Sequence, residues 1–176
     1  MQRLKLLRLG GQVRRWHTWP MHRQQTVAEH SHGVAVLVTI VEPNASAELL
    51  QAALFHDISE AVTGDVPSTA KWAYPEVRAA LNAASMDIEQ KACLRMTLTV
   101  HEQNVLRWCD MAELVLFALE EWYGGNYNAR KVVENGMGWL REHEAPTIAA
   151  EELRAFMWQT QSNFHDGVFE YADQGE

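Results

Sequence analysis

The sequence predicts an all-α fold, a compact bundle of about six helices. Apolar residues recur at helical spacing through most of the chain, whereas the alternation typical of a β-strand is nowhere sustained. At 176 residues, 47% hydrophobic and with seven tryptophans, the chain can bury a substantial core, and no repeat or low-complexity linker divides it. We therefore expect a single domain over residues 1–176, with its functional motifs between residues 14 and 114.

The first predicted helix follows Thr26. Thr26 and Glu29 have the spacing of a capping box, and the apolar positions of residues 27–41 follow a helical period. His30 falls in the first turns of this helix, on its apolar face. A polar imidazole is therefore expected to point toward the core.

The second predicted helix ends at a pair of chemically useful residues. Ser46 is a plausible N-cap for an apolar helical stretch that runs up to His56 and Asp57. Residues 63–67, with the sequence Thr-Gly-Asp-Val-Pro, are typical of a turn. We therefore expect the helix to stop close to the His-Asp pair.

Four further helices complete the predicted bundle. Pro75 can start the first of them, because proline is favoured at the first helical position. Asp110 lies in the apolar stripe of the second, so its charge requires a partner. The polar tail from about Asp166 is expected to fray. The four helices run from Pro75 to about Met96, from about Asn104 to Trp122, from beyond Asn126 to about Glu142, and from about Ile148 to Phe164.

The composition argues against several classes of protein. A net charge of −8 is unsuited to binding along a nucleic acid backbone. No apolar run approaches the roughly 20 residues that span a bilayer, and the charged N-terminus lacks the apolar core of a secretory signal. Cys93 and Cys109 lack metal-site spacing, so we expect buried free thiols in a reducing cytoplasm. We expect a cytoplasmic protein with neither a nucleic-acid nor a membrane partner.

Two histidines and two aspartates form the pattern that most narrows the function: His30, His56, Asp57 and Asp110. Imidazole nitrogen and carboxylate oxygen suit a divalent ion, and four such ligands leave positions open for water or phosphate. His56 and Asp57 are neighbours in sequence, so they can share one ion only where the helix ends or bends. Taken singly, each histidine is more often an ordinary surface or partly buried imidazole, and each aspartate a helix cap, than a metal ligand. Ligand type admits Co, Mn, Zn, Fe or Mg.

The ordered set of H, HD and D resembles the signature of the HD-domain metal-dependent phosphohydrolases. Within that superfamily, about residues 8 to 125 are similar to the YfbR-type 5'-deoxynucleotidases and to phage dATP triphosphohydrolases of the DatZ type. The resemblance implies an HD-type helical fold, one divalent metal ion, a small-molecule deoxynucleotide substrate and a homo-oligomer. It is carried by Arg14-Arg15-Trp16, Ala28-Glu29-His30-Ser31, residues 54–61 (LFHDISEA), residues 63–67 (TGDVP) and Asp110.

The resemblance also implies roles for four residues around the metal ligands. Glu60 lies about one helical turn past Asp57 and is expected to be a catalytic general acid or base. Asp65 is expected beside the scissile phosphate, although an aspartate after glycine is often a plain cap. Arg15 is the expected phosphate clamp, since guanidinium matches phosphate oxygens in pairs. Trp16 is expected to pack the deoxyribose and help exclude a 2'-hydroxyl.

Three further residues complete the expected substrate site: Thr63, Lys71 and Arg107. The cations Lys71 and Arg107 would help to hold a longer, more negative phosphate chain, so they favour a dNTP triphosphohydrolase that acts on dATP or a related nucleotide. Hydrolysis of deoxynucleoside monophosphates by a 5'-deoxynucleotidase is the alternative. A non-catalytic HD module that binds a nucleotide signal, a purely structural metal site and a cyclic-nucleotide phosphodiesterase are the other interpretations.

Overall fold

A computed structural model describes residues 2–165 and confirms the all-α fold. Between these residues there is no β-strand, and Arg14 and Thr26 form one isolated antiparallel bridge. The expected fraying from Asp166 onward lies outside the described residues. The helices are α1 (Gln2–Gly10), α2 (Val27–Val41), α3 (Ala47–Phe55), α4 (Glu60–Thr63), α5 (Ser68–Ala73), α6 (Pro75–Lys91), α7 (Val100–Tyr123), a 3-10 turn (Tyr127–Ala129), α8 (Arg130–Glu142) and α9 (Ile148–His165).

The described part of the chain has more helices than the six predicted. The additional ones are α1, α4 and α5, which contain nine, four and six residues. α1 has charged residues between its leucines and only Gly10 buried, so its apolar period is weak. α4 and α5 are too short to show a hydrophobic period, and each adjoins the turn-like segment 63–67.

Two predicted helix boundaries were wrong by several residues. α6 ends at Lys91 rather than near Met96, and Leu94 beyond it is buried. α7 begins at Val100 rather than near Asn104, because Thr99 caps the backbone amide of Glu102 and Glu102 caps that of Thr99. This second capping box lies upstream of the apolar stripe from which the start was predicted.

The core is built around α7, which packs against α2, α3, α8 and α9. Fully buried side chains at these contacts include Val34 and Val38 of α2, Leu49 of α3, and Trp108 and Leu119 of α7. Burying such side chains stabilises a fold by about 1.5–3 kcal/mol each. The same packing brings the middle of α7 to the start of α2 and the end of α3, where the predicted metal ligands lie.

The segment between α1 and α2 is held against α7 by a buried carboxylate. Glu121 is 2% exposed and accepts hydrogen bonds from the backbone amides of His22 and Arg23 and from the side chain of Asn126. Burial opposes ionisation, but these hydrogen bonds keep the pKa of Glu121 below its ordinary value. The segment that carries Arg15 is therefore anchored on one side.

The cysteines are both free thiols, as predicted, but only one of them is buried. Burial raises the pKa of Cys109 to about 12. The prediction that Cys93 is buried was wrong, because α6 ends before it and the residue turns outward with a left-handed φ of 53°. None of the helices described is long and apolar enough to cross a membrane.

Candidate active site

Three helices bring His30, His56 and Asp110 together. One ligand atom from each lies within 4.8 Å of the others. The Nε2 atom of His30 lies 3.0 Å from Oδ1 of Asp110 and 3.2 Å from Nε2 of His56. Two imidazole nitrogens and a carboxylate oxygen at these distances fit a divalent ion.

Asp57 lies at the edge of the same group. Its Oδ2 atom is 3.4 Å from Nε2 of His56 and 3.7 Å from Nε2 of His30. α3 ends at Phe55, so the chain leaves the helix at the His-Asp pair, as the sequence predicted. The same Oδ2 atom accepts a hydrogen bond of 2.7 Å from Nη1 of Arg15. The candidate metal group is formed by His30, His56 and Asp110. The predicted quartet is therefore brought together, with Asp57 between this metal group and Arg15.

Both histidines present the same nitrogen to the metal group. Nδ1 of His30 contacts Oε2 of Glu113, and Nδ1 of His56 lies 2.9 Å from the carbonyl oxygen of Ala53. A carbonyl oxygen and an ionised carboxylate only accept hydrogen bonds, so Nδ1 carries the hydrogen in each ring. Nε2 is then the atom free to bind a metal ion, and the hydrogen bond at Nδ1 fixes the orientation of each ring, as is common in metal-binding histidines.

The four ligand residues perturb one another's protonation. Burial opposes charge on both imidazoles, but Asp110 and Glu113 raise the pKa of His30, and Asp57 and Asp110 raise the pKa of His56. Burial also opposes ionisation of the two aspartates, but His56 and Arg15 lower the pKa of Asp57, and both imidazoles lower the pKa of Asp110. A metal ion that binds at these Nε2 atoms would therefore compete with protons and release them.

Glu60 is buried next to this group, at the start of α4. Its carboxyl group is only slightly accessible, and its Oε2 atom has no hydrogen-bond partner among residues 2–165. Burial, followed by the negative charges of Asp57 and Asp65, raises the pKa of Glu60 to about 8. The side chain therefore keeps a proton near neutral pH and can donate it.

Arg15 connects the metal group to a cavity. Its side chain is 13% exposed, and its Nε donor is buried without a partner in the described structure. Burial opposes its charge, but Asp57 and the other nearby carboxylates raise its pKa. An unpaired donor on a buried guanidinium is suited to an oxygen atom of an anionic ligand.

The cavity runs from Arg15 to α8 and has a volume of about 520 Å³. Its walls are rich in aromatic side chains, namely Trp16, Trp19, Trp72 and Trp139. Such a volume with apolar walls and a few polar groups is typical of a small-molecule site. The polar residues that line it include Asp65, Ser68, Thr69, Lys131, Glu134, Asn135 and Glu142.

Trp16 lies at the cavity wall, as expected for a residue that packs a ligand. Its ring stacks on Phe117 with 5.7 Å between ring centroids, and its Nε1 donates a hydrogen bond to Gln25. The backbone of Trp16 has a left-handed φ of 62°, which is uncommon for a bulky residue. Asp65 also lines the cavity, and its Oδ2 lies 3.7 Å from Nδ1 of His17.

The other three predicted substrate residues lie at the periphery. Lys71 is half-buried, and its positive charge acts on Glu60. Arg107 is exposed and its guanidinium lies 5.2 Å from the ring centroid of Trp139, outside the set of residues that line the cavity. Thr63 donates a hydrogen bond to the carbonyl oxygen of Gly64. None of these three positions points to a specific contact with a ligand.

Sequence reasoning assigned no role to Glu113 or Gln25. Glu113 lies one helical turn after Asp110 in the same apolar stripe, which is a signal that could have identified it. Gln25 gave no comparable signal, because it precedes the capping box of α2 and makes its contacts across the fold. The walls formed by Trp72 and Trp139 depend on how α5 and α8 pack, which the sequence pattern does not contain.

Comparisons with known proteins support the predicted resemblance. The family model described as "5'-deoxynucleotidase YfbR-like" matches residues 3–111. No curated protein matches the chain. Similar solved structures include the cyanophage S-2L HD phosphohydrolase DatZ, bound to dA and one catalytic Zn²⁺ ion, with a TM-score of 0.64, 22% identity, and coverage of 92% of this chain and 96% of that one. The PH0347 protein of Pyrococcus horikoshii OT3 has a TM-score of 0.65, 18% identity, and coverage of 92% and 98%.

Proposed function

This chain belongs to the YfbR-like 5'-deoxynucleotidase family of HD-domain metal-dependent phosphohydrolases, and from that premise we propose that it hydrolyses 2'-deoxynucleotides at the 5' phosphorus. The observation that carries the proposal is the position of Arg15, which pairs with Asp57 at 2.7 Å and also lines the cavity. A phosphate held by Arg15 would lie beside the metal group, with its nucleoside between the aromatic walls.

The chain's own residues fit this reaction. A divalent ion held by His30, His56, Asp57 and Asp110 would act as a Lewis acid at the phosphate and activate a water molecule. The attacking oxygen forms a bond to phosphorus while the bond from phosphorus to the 5' oxygen breaks. Glu60, which retains a proton near neutral pH, is the proposed donor to the leaving 5' oxygen.

Two residues are proposed to bind the phosphate and sugar, and a third lies close to them. Arg15 has an unpaired buried donor that can neutralise phosphate charge. Trp16 offers a flat face to the deoxyribose, and its stacking on Phe117 holds that face in place. Asp65 lies at the same wall and is proposed to assist at the phosphate.

Deoxynucleoside monophosphates are the substrates that the geometry supports best. The preference for triphosphates rested on Lys71 and Arg107, and Arg107 stacks on Trp139 outside the cavity lining. Release of triphosphate from a dNTP such as dATP is the second candidate, since Lys71 lies close enough to the site for its charge to act on Glu60. The two reactions differ only in the length of the phosphate chain that is released from the deoxynucleoside.

Incubation with a panel of nucleotides tests the proposal. Metal-free protein, with and without added Mn, Co, Zn or Mg, is incubated with dNMPs, dNTPs and their ribonucleotide counterparts, and the products are separated by chromatography. We expect deoxynucleoside and orthophosphate from dNMPs. Deoxynucleoside with intact triphosphate would support the second candidate. A lack of metal-dependent turnover would contradict both and favour a non-catalytic nucleotide-binding module.

The proposal also includes a single domain over residues 1–176 and a cytoplasmic location, which the sequence composition predicts, and a homo-oligomer, which the family resemblance implies. Exposed aromatic residues such as Trp72 and Trp158 are compatible with subunit contacts. Light scattering on the purified protein measures the number of subunits directly.

Gly138 provides a test of where the base lies. It sits inside α8 and lines the cavity, and a Cβ atom built on it meets nothing within 4 Å. We expect Gly138→Leu to fill this space and raise KM for purine deoxynucleotides about 10-fold or more, with a smaller effect on pyrimidines. Gly138→Ala is the control, which should keep KM and stabilise the helix by about 1 kcal/mol. Equal KM values in Gly138→Leu and wild type would place the base elsewhere.

A further inference from the structure

The side chain of Gln25 lies between the cavity wall and the metal group. It is buried, with 4% exposure. Its Oε1 accepts a hydrogen bond of 2.9 Å from Nε1 of Trp16, and its Nε2 donates one of 2.7 Å to Oε1 of Glu113. Oε2 of Glu113 accepts the hydrogen of Nδ1 of His30. A continuous hydrogen-bonded chain thus runs from the cavity to a predicted metal ligand.

The two hydrogen bonds of the Gln25 amide in this chain have a fixed direction. The indole of Trp16 can only donate, so the amide oxygen of Gln25 faces it and the amide nitrogen faces Glu113. Glu113 then accepts on both oxygens as a carboxylate. His30 must donate from Nδ1, which leaves Nε2 for the metal ion.

The surrounding backbone supports the same arrangement. A Cβ atom at Gly33 would lie 2.8 Å from Cγ of Glu113, so Glu113 can approach α2 because residue 33 is a glycine. The backbone amide of Arg15 donates a hydrogen bond of 2.8 Å to the carbonyl oxygen of Gln25. Gln25 therefore also fixes the segment that carries the proposed phosphate clamp.

We propose that Gln25 is a positioning residue. Through Glu113 it couples the ring of Trp16 in the cavity wall to the predicted metal ligand His30, so that one chain of hydrogen bonds determines both the metal affinity and the position of that ring. The inference rests on the metal site of the proposed function. Metal binding is therefore measured apart from turnover, which keeps the two proposals distinguishable.

The first test is Gln25→Met, a substitution of similar length that has no donor for Glu113 and only a weak sulfur acceptor for Trp16. Titration of metal-free protein with Co²⁺, followed by visible absorption, should give a Kd raised about 10-fold, the lower end of the effect of losing an outer-shell partner, because Gln25 acts through Glu113. Gln24→Met is the matched control, because Gln24 is the neighbouring glutamine and is exposed. Its Co²⁺ affinity should equal that of the wild type.

The second test reads the coupling itself. Trp16→Phe keeps an aromatic ring that can stack on Phe117 but removes the Nε1 donor to Gln25. We expect weaker Co²⁺ binding in this variant. Adding Trp16→Phe to Gln25→Met should produce no further loss, because one chain of contacts is already broken.

Several results would overturn the inference. Wild-type Co²⁺ affinity in Gln25→Met and in Trp16→Phe, or strictly additive losses in the double variant, would exclude the coupling while leaving the metal site intact. A wild-type protein that binds no Co²⁺ would overturn the coupling and the metal-dependent function together. Circular dichroism reports whether each variant folds, and if Gln25→Met does not fold, unchanged affinity in Trp16→Phe alone excludes the coupling.

Discussion

Replacing Asp110 with asparagine is expected to lower turnover more than about 100-fold, since loss of a direct ligand should exceed the 10- to 100-fold cost of losing an outer-shell partner. The side chain keeps its shape but loses the charge that faces Nε2 of His30 at 3.0 Å and Nε2 of His56 at 3.7 Å. Metal content after dialysis, Co²⁺ affinity and turnover of the preferred nucleotide measure the effect.

The control for this change is Asp87→Asn. Asp87 lies on α6, is 58% exposed and pairs only with Lys91 among the described ion pairs. A surface pair of this kind contributes little to stability, so metal content and turnover should match the wild type. Wild-type metal affinity in Asp110→Asn would remove Asp110 from the proposed ligand set.

Replacing Glu60 with glutamine is expected to lower turnover about 10²- to 10⁴-fold, the usual contribution of a positioned proton donor. The amide has the same shape as the carboxyl group but cannot transfer a proton. The pH profile supplies the specific signature. Because burial raises the pKa of Glu60 to about 8, wild-type turnover should fall as pH rises through that value, and this limb should be absent from the residual activity of Glu60→Gln. A bound divalent cation favours the carboxylate and moves the limb to lower pH.

The stability of the metal-free wild type should also fall as pH rises. The pKa of Glu60 is raised from 4.5 to about 8 in the folded protein, so the folded state binds this proton more tightly than the unfolded chain. The wild type therefore loses stability as pH rises from about 4.5 to 8, and Glu60→Gln should not show that loss.

Glu152→Gln, on the exposed face of α9, serves as the control for the Glu60 variant and should change neither turnover nor the pH dependence of melting. An alkaline limb that persists unchanged in Glu60→Gln would assign the proton donor to another group.

The metal group could be predicted from the sequence because the order of its residues along the chain and the ends of its helices depend on neighbouring residues. Capping residues and apolar periods positioned His30 at the start of α2 and His56 at the end of α3. The cavity could not be predicted in the same way. Trp139 and Gly138 reach it only because α8 packs on α7, and that contact depends on side-chain fit rather than on a period.

Arg107 and Gln25 show the same limit of prediction from sequence: Arg107 was predicted to bind substrate but lies outside the cavity lining, whereas Gln25 was assigned no role but is buried beside the site. Arg107 has the charge expected of a phosphate contact, yet its guanidinium stacks on the ring of Trp139. Gln25 carries no charge and belongs to no motif, yet it is buried between Trp16 and Glu113. Residue type predicts which interactions a side chain can form, whereas tertiary packing determines which residues it contacts.

The distribution of the metal group over three helices links catalysis to folding. His30 belongs to α2, His56 caps α3 and Asp110 lies in α7, so an ion held by all three is a cross-link between segments far apart in the chain. The unfolded chain cannot present these atoms together, and at a free metal concentration of 100 times Kd the folded state gains about 2.7 kcal/mol. The melting temperature should therefore rise with metal concentration in the absence of any nucleotide, and the supply of the ion would contribute to the stability of the folded protein.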